Sequence, residues 1–151
     1  MVPSFLARRG FGCVLTQLRR KHIKIGCASG FWGDTAFSTP QLVNWASGIN
    51  YVVYDYLSEI TMSLLARAKA KDPNMGYCPD FVHFHIGPAL RDIKAKGIKI
   101  VSNAGGLNPI ACAEMIQKIA RENKDIHDLN VAAVVGDDLS DMSVSSCSHF
   151  G

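Results

Sequence analysis

Ile98-Lys99-Ile100-Val101-Ser102-Asn103-Ala104-Gly105-Gly106-Leu107-Asn108-Pro109 (IKIVSNAGGLNP, residues 98–109) is the stretch that decides how this chain is read. Its first four residues are rich in Ile and Val and predict a strand, Ile98 to Val101. A glycine-rich loop follows. Asn108-Pro109 then opens a helix that runs to about Asn123, with a side chain suited to capping and a proline at the first helical position. Strand, glycine loop and capped helix together form the repeating unit of a parallel α/β sheet.

The same unit recurs on both sides of it. HIKIGCA (residues 22–28) predicts a first strand, followed by the loop SGFWGDTAFS (residues 29–38). Ser38-Thr39-Pro40-Gln41 predicts a short helix ending near Gly48, with Ser38 as hydroxyl cap and Gln41 at capping-box distance. Tyr51 to Tyr54 predicts a second strand and Ser58 to Lys71 a helix. Tyr77 to Lys96 predicts one helix or two short ones, interrupted near Gly87-Pro88. Val131 to Val135 predicts a fourth strand, ending in Gly136-Asp137-Asp138. The expected fold is therefore α/β: a Rossmann-like or flavodoxin-like open parallel sheet with helices on both faces. Four strands are few for such a sheet. The Ser-rich residues 140–151 carry no helical stripe to cover the last strand, so the chain is expected to be an incomplete fragment of the full domain.

With 151 residues, 48% of them hydrophobic and 19% charged, the chain has the composition of a globular protein. No apolar run reaches the roughly 18 residues of a membrane span. Five scattered cysteines without a CxxC pair argue against a disulfide framework or zinc finger, and for a reducing compartment. The net charge of +3 is unevenly spread. Residues 1–24 carry six basic residues and no acid, which leaves 10 basic and 13 acidic residues, a charge of −3, for the rest. That mildly acidic body argues against a nucleic-acid face. The Arg-rich leader, residues 1–21, reads as a mitochondrial transit peptide or a disordered extension. The expected location is the mitochondrial matrix, or otherwise the cytoplasm. Three segments result: the leader, a partial domain over residues 22–139, and a divergent or disordered tail over 140–151.

Open parallel sheets bind ligands beyond the carboxyl ends of their strands. Those ends hold SGFWGDT, DYLSE, SNAGGLNP and GDDLSD, where the glycines and many of the acids gather. Asp34, Asp55, Glu59, Asp137 and Asp138 are the candidates for acid–base catalysis, and Mg²⁺ is a cofactor such oxygen ligands suit. Ser29, Gly30, Gly33, Thr35, Asn103, Gly105, Gly106 and Asn108 are the candidate ligand contacts, because glycine-rich turns present backbone N–H groups to anions. Ordinary turn chemistry explains the same residues without a ligand. Ala28-Ser29-Gly30-Phe31-Trp32-Gly33 is close to a dinucleotide fingerprint, but Ala replaces its first glycine and the helix begins too late. His83 and His85 point to nearly opposite sides of a helix and read as packing or surface residues. No dedicated metal site is expected.

IKIGCASGFWGDT (residues 23–35), YDYLSEITMSLLARAKAKDPNMGY (54–77), IKIVSNAGGLNPIACAE (98–114) and VAAVVGDDL (131–139) resemble, in order, the N-terminal domain of the acyclic terpene utilisation family. The resemblance implies a role in isoprenoid or branched acyl metabolism through CoA thioesters. It carries over to Gly26, Ser29, Gly30, Gly33, Asp34, Asp55, Tyr56, Glu59, Lys71, Asp72, Asn103, Gly105, Gly106, Asn108, Pro109, Gly136, Asp137 and Asp138. The expected ligand is an anionic small molecule, acyl-CoA or nucleotide-like. The competing expectations are a non-catalytic accessory or scaffold subunit, as a homo-oligomer or a partner in a carboxylase complex, and a truncated chain without function.

Overall fold

The computed structural model describes residues 22–139. The leader and the tail, residues 1–21 and 140–151, lie outside them. Three strands, β1 (Ile25–Ser29), β2 (Tyr51–Tyr54) and β3 (Lys99–Ser102), form a parallel sheet in the order β1-β2-β3. Between and after them come α1 (Ser38–Trp45), α2 (Glu59–Lys71), α3 (Leu90–Ala95) and α4 (Pro109–Arg121). The α/β class and the open parallel sheet are as expected.

The local reasons are mostly those the sequence carries. Ser58 caps α2 by accepting from the Thr61 N–H at 3.2 Å, and Asn108 caps α4 by accepting from Ala111 at 3.3 Å. α1 differs. Its cap position is Phe37, which makes no side-chain cap, and Ser38 lies inside the helix. The Ser38 hydroxyl instead donates to the carbonyls of Ala28 and Thr35, tying α1 to the end of β1. The expected capping box is therefore replaced by a strand-to-helix bond.

The stretch before β3 is helical from Pro79 to Ala95 but changes pitch twice: a π turn over Phe81–Ile86, a 3₁₀ turn over Gly87–Ala89, then α3. Gly87 explains the first change. Its N–H donates to the Val82 carbonyl five residues back, and a β-carbon there would lie 2.6 Å from that oxygen. Only glycine permits the approach, and Pro88 beside it has no N–H to place. Inserted π turns of this kind are often found at functional sites.

Burial along the strands shows where the helices lie. Val52 and Tyr54 are buried, whereas Ile25 is 65% exposed and Val101 53% exposed. Gly26, Val52 and Ile100 are cross-strand partners on the covered face; Ile25, Tyr51 and Lys99 share the other. Among the described residues only one face of the sheet is covered. The strand order accounts for this. Right-handed crossovers that always step to the next strand in the same direction put every connection on the same side. A second helical layer needs a reversal of direction, and none occurs within β1-β2-β3.

The core centres on an aromatic group. The rings of Tyr54 and Tyr56 stack at 6.2 Å, and Phe81 and His85 stand edge-on to both. The Tyr54 and Thr39 hydroxyls bond at 2.9 Å in the interior, fastening α1 to β2.

The expected fourth strand is corrected. Among the described residues Val131 to Val135 joins no ladder and belongs to no regular element, and Val134 is 90% exposed. The segment has strand-like composition, but pairing needs a neighbour about 4.8 Å away. A cavity of about 960 Å³ lies here, lined on one side by β3 and on the other by residues 131–137.

Candidate functional site

The carboxyl ends of β1, β2 and β3 meet at one edge of the sheet. Asp55 N–H donates to the Ser29 carbonyl at 3.0 Å, and the Ser29 hydroxyl donates to the Phe31 carbonyl at 3.0 Å. The Asn103 amide bridges β2 and β3. Its Nδ2 donates to the Asp55 carboxylate at 2.7 Å and its Oδ1 accepts from Tyr56 N–H at 2.8 Å. Ser29, Asp55 and Asn103, three of the sequence candidates, thus form a connected chain across the strand ends.

The loop after β1 is closed by Asp34. Its carboxylate accepts from Gly30 N–H at 3.1 Å and from Thr35 N–H at 2.8 Å. These two bonds hold the Asp34 carboxyl below the usual carboxylate range. Gly33 turns the loop with φ of 103°, which a side chain would strain. The N–H groups of Phe31, Trp32 and Gly33 have no acceptor among the described residues. The Trp32 indole donates to Asp80 at 3.1 Å and anchors the loop to the start of the π turn.

The other candidates are placed differently. Gly105 packs against Pro109, which a β-carbon would approach to 2.8 Å. Gly106 has φ of 51° and lies against Leu65 and Gly76. Asn108 serves α4 as cap and donates to the carbonyls of Pro73 and Met75. The backbone N–H groups of Gly106, Leu107 and Asn108 all bond internally, so this second loop is built chiefly for packing. Glu59 is exposed in the first turn of α2. Asp137 stands at the rim of the large cavity, and Asp138 pairs with Lys69 at 4.0 Å. Among the described residues no three His, Cys, Asp or Glu side chains converge as a metal site.

The structure adds an observation at two residues: Tyr56, a position the family resemblance carries over, and His85, expected as a packing or surface residue. Tyr56 and His85 are buried, and among the described residues neither the Tyr56 hydroxyl nor His85 Nδ1 has a partner. Both lie just beneath the strand ends. Unpaired buried polar atoms are rare enough to mark a place. The pairing of an exposed His83 with a buried His85 fits the expectation that they point opposite ways. The family resemblance marks Tyr56 but not its burial, because that depends on the tertiary contacts of Phe81 and His85.

Burial lowers the His85 pKa below its usual value, partly offset by the negative charges of Asp80 and Asp34. The sign of the effect on stability follows. As pH falls below about 6.5 the unfolded chain takes up the proton first, so folded stability declines, and the decline levels off below the folded-state pKa. Thermal melts between pH 7.5 and 5 should show this loss, and His85→Phe should remove part of it.

One family model, described as acyclic terpene utilisation family protein AtuA, matches residues 23–148. No curated protein and no solved structure matches the chain. No helix among the described residues is long and apolar enough to cross a membrane. The matched span takes in all three strands, the four helices and the loops that join them at the strand ends. By this match over most of its length, the chain belongs to the acyclic terpene utilisation family.

Proposed function

We propose that the chain binds an anionic small molecule of the acyl-CoA or nucleotide type at the carboxyl edge of its sheet. The observation that carries this is the loop Gly30 to Thr35, with three successive N–H groups, of Phe31, Trp32 and Gly33, open to an acceptor. Successive N–H groups in a turn attract oxyanions. Asp34, folded back on Gly30 and Thr35, fixes the loop and is the local charge an anion must tolerate. A Mg²⁺ ion beside Asp34 or Asp55 would draw the rest of its oxygen shell from the ligand's phosphates and water. Family membership supports a role in terpene-derived acyl metabolism.

The test is thermal melting of the purified chain with an acyl-CoA, free CoA, or ATP, each with and without Mg²⁺. A ligand at a hundred times its Kd adds about 2.7 kcal/mol, a rise of several degrees in Tm. Unchanged melting with all of them rejects the proposal.

A second reading has its own observation. The uncovered sheet face exposes Ile25 and Val101, with Ile23 near its edge. Exposed apolar surface of this kind favours a polypeptide partner and so an accessory or scaffold role, in a homo-oligomer or a carboxylase complex. Under that reading, a partner co-purifies with the chain and Asp55→Ala leaves the association intact.

A further inference from the structure

A groove of about 310 Å³ lies between α1 and the helical segment that runs from the π turn into α3. Phe37 and Pro40 form one wall, Phe84 and Pro88 the other, and both phenylalanines are exposed. His85 lines the groove as well. It is 3% exposed, and among the described residues its Nδ1 has no partner.

The two ends of the groove differ. One lies level with the carboxyl edge of the sheet. There the His85 ring stands edge-on to Tyr54 and Tyr56, and Tyr54 bonds Thr39 in the first turn of α1. Ala36 lines this end, three residues after Gly33, so the N–H groups of the Gly30 to Thr35 loop are within about 11 Å of it. The Trp32–Asp80 bond holds that loop against the start of the π turn. The other end lies about 10 Å further along α1, where Asn44 and Asp92 close the groove with polar groups. Lys96 fastens that end by donating to the Val43 carbonyl at 2.7 Å and to Asn44 at 2.8 Å.

We infer that this groove holds the apolar tail, of up to about ten carbons, of an anionic ligand whose phosphate or carboxylate head sits on the Gly30 to Thr35 loop. The inference rests on the oxyanion reading of that loop and deepens it, since a nucleotide without a tail leaves the groove unfilled. Volume sets the tail length. An apolar cavity of about 150 Å³ takes benzene, with six carbons, and this groove has about twice that space. Continuity with the loop fixes where the head lies. His85 stands between the two, where its imidazole N–H can reach a carboxyl, ester or phosphate oxygen at the junction of head and tail. A ligand oxygen there relieves the cost of a buried polar atom without a partner.

Calorimetric titration of the full chain tests this with CoA, hexanoyl-CoA, decanoyl-CoA and tetradecanoyl-CoA, each below its micellar concentration. Decanoyl-CoA is expected to bind at least about tenfold tighter than hexanoyl-CoA, because each fully buried methylene is worth about fourfold. Tetradecanoyl-CoA should bind no tighter than decanoyl-CoA. Phe84→Gln should remove most of the gain with length and leave binding of CoA itself unchanged. If that variant fails to fold, Phe37→Ser decides instead, since it puts a good capping residue at the cap position of α1. Decyl phosphate and decanoate, titrated alongside, show which head the loop prefers. Equal affinity for CoA and decanoyl-CoA overturns the inference and leaves the reading of the loop standing. A gain with length that survives the substitution puts the tail elsewhere and also overturns it. Binding of none of these compounds rejects the reading of the loop, and the inference with it.

Discussion

Tyr54→Ala is expected to destabilise the fold by about 4 kcal/mol, the range for removing a large aromatic from a core. Tyr54 is 1% exposed, stacks on Tyr56 and receives the edges of Phe81 and His85. Removing it opens a hole between β2 and the π turn. It also strands the Thr39 hydroxyl, whose buried bond is to Tyr54. Tyr54→Phe separates the two effects. It keeps the ring and loses only the hydroxyl bond, a cost of about 1 kcal/mol. Urea unfolding of the three proteins measures both. A cost for the alanine variant near that of the phenylalanine variant would show that the aromatic group is not the centre of the core.

Gly106→Val is expected to cost about 3 kcal/mol, from two causes that act together: left-handed backbone forced on a branched residue, and overpacking. Gly106 has φ of 51°, and a β-carbon there would lie 2.4 Å from Leu65 Cδ1 and 2.8 Å from the Gly76 carbonyl. The leucine end can turn aside, but the carbonyl cannot, because it accepts the Leu107 N–H at 2.8 Å. The substitution therefore pushes α2 away from the loop after β3. Gly30→Ala is the natural comparison. Nothing lies within 4 Å of a β-carbon at that position, so it should cost far less. Thermal melts of the two variants, run side by side, check the contrast.

The contrast between these glycines shows what the sequence could carry. Glycine clusters at strand ends are visible in the chain, and so are Ser58, Asn108 and Pro109, because caps and turns depend on neighbours a few residues away. Tyr51 to Tyr54 was legible for a similar reason: β-branched and aromatic residues suit a pleated surface wherever it lies. What each glycine is for was not legible. Gly105 and Gly106 are crowded by Pro109, Leu65 and Gly76, while Gly30 and Gly33 border open space or a tight turn. Those differences come from contacts up to 41 residues apart in sequence, Leu65 against Gly106 among them.

The same limit explains the other departures. Val131 to Val135 looks like a strand, but a strand is a relation between two segments, and β3 is separated from this one by the cavity. Helices on both faces follow from a doubly wound order, whereas the order β1-β2-β3 contains no change of direction. The π turn includes a close approach of Gly87 to the Val82 carbonyl that ordinary helix patterning does not encode. Of the candidate site, Ser29, Asp34, Asp55 and Asn103 were readable as polar residues at strand ends. For Tyr56, carried over by the resemblance, and His85, read as a packing or surface residue, the unpaired buried atoms were not readable, because they are a product of the packed aromatic group.

The strand order also bears on how the chain is made. Each strand pairs with the one synthesised just before it, and each connecting helix packs on the side already begun. At roughly 5–20 residues per second, β2 can dock on β1 before β3 has been translated. The free edge of β3 faces the residues translated next. Growth of the sheet is thus directional, like a zip closed from one end. Any pause after Ser102 leaves a short two-connection sheet whose β3 edge awaits the nascent chain's own continuation.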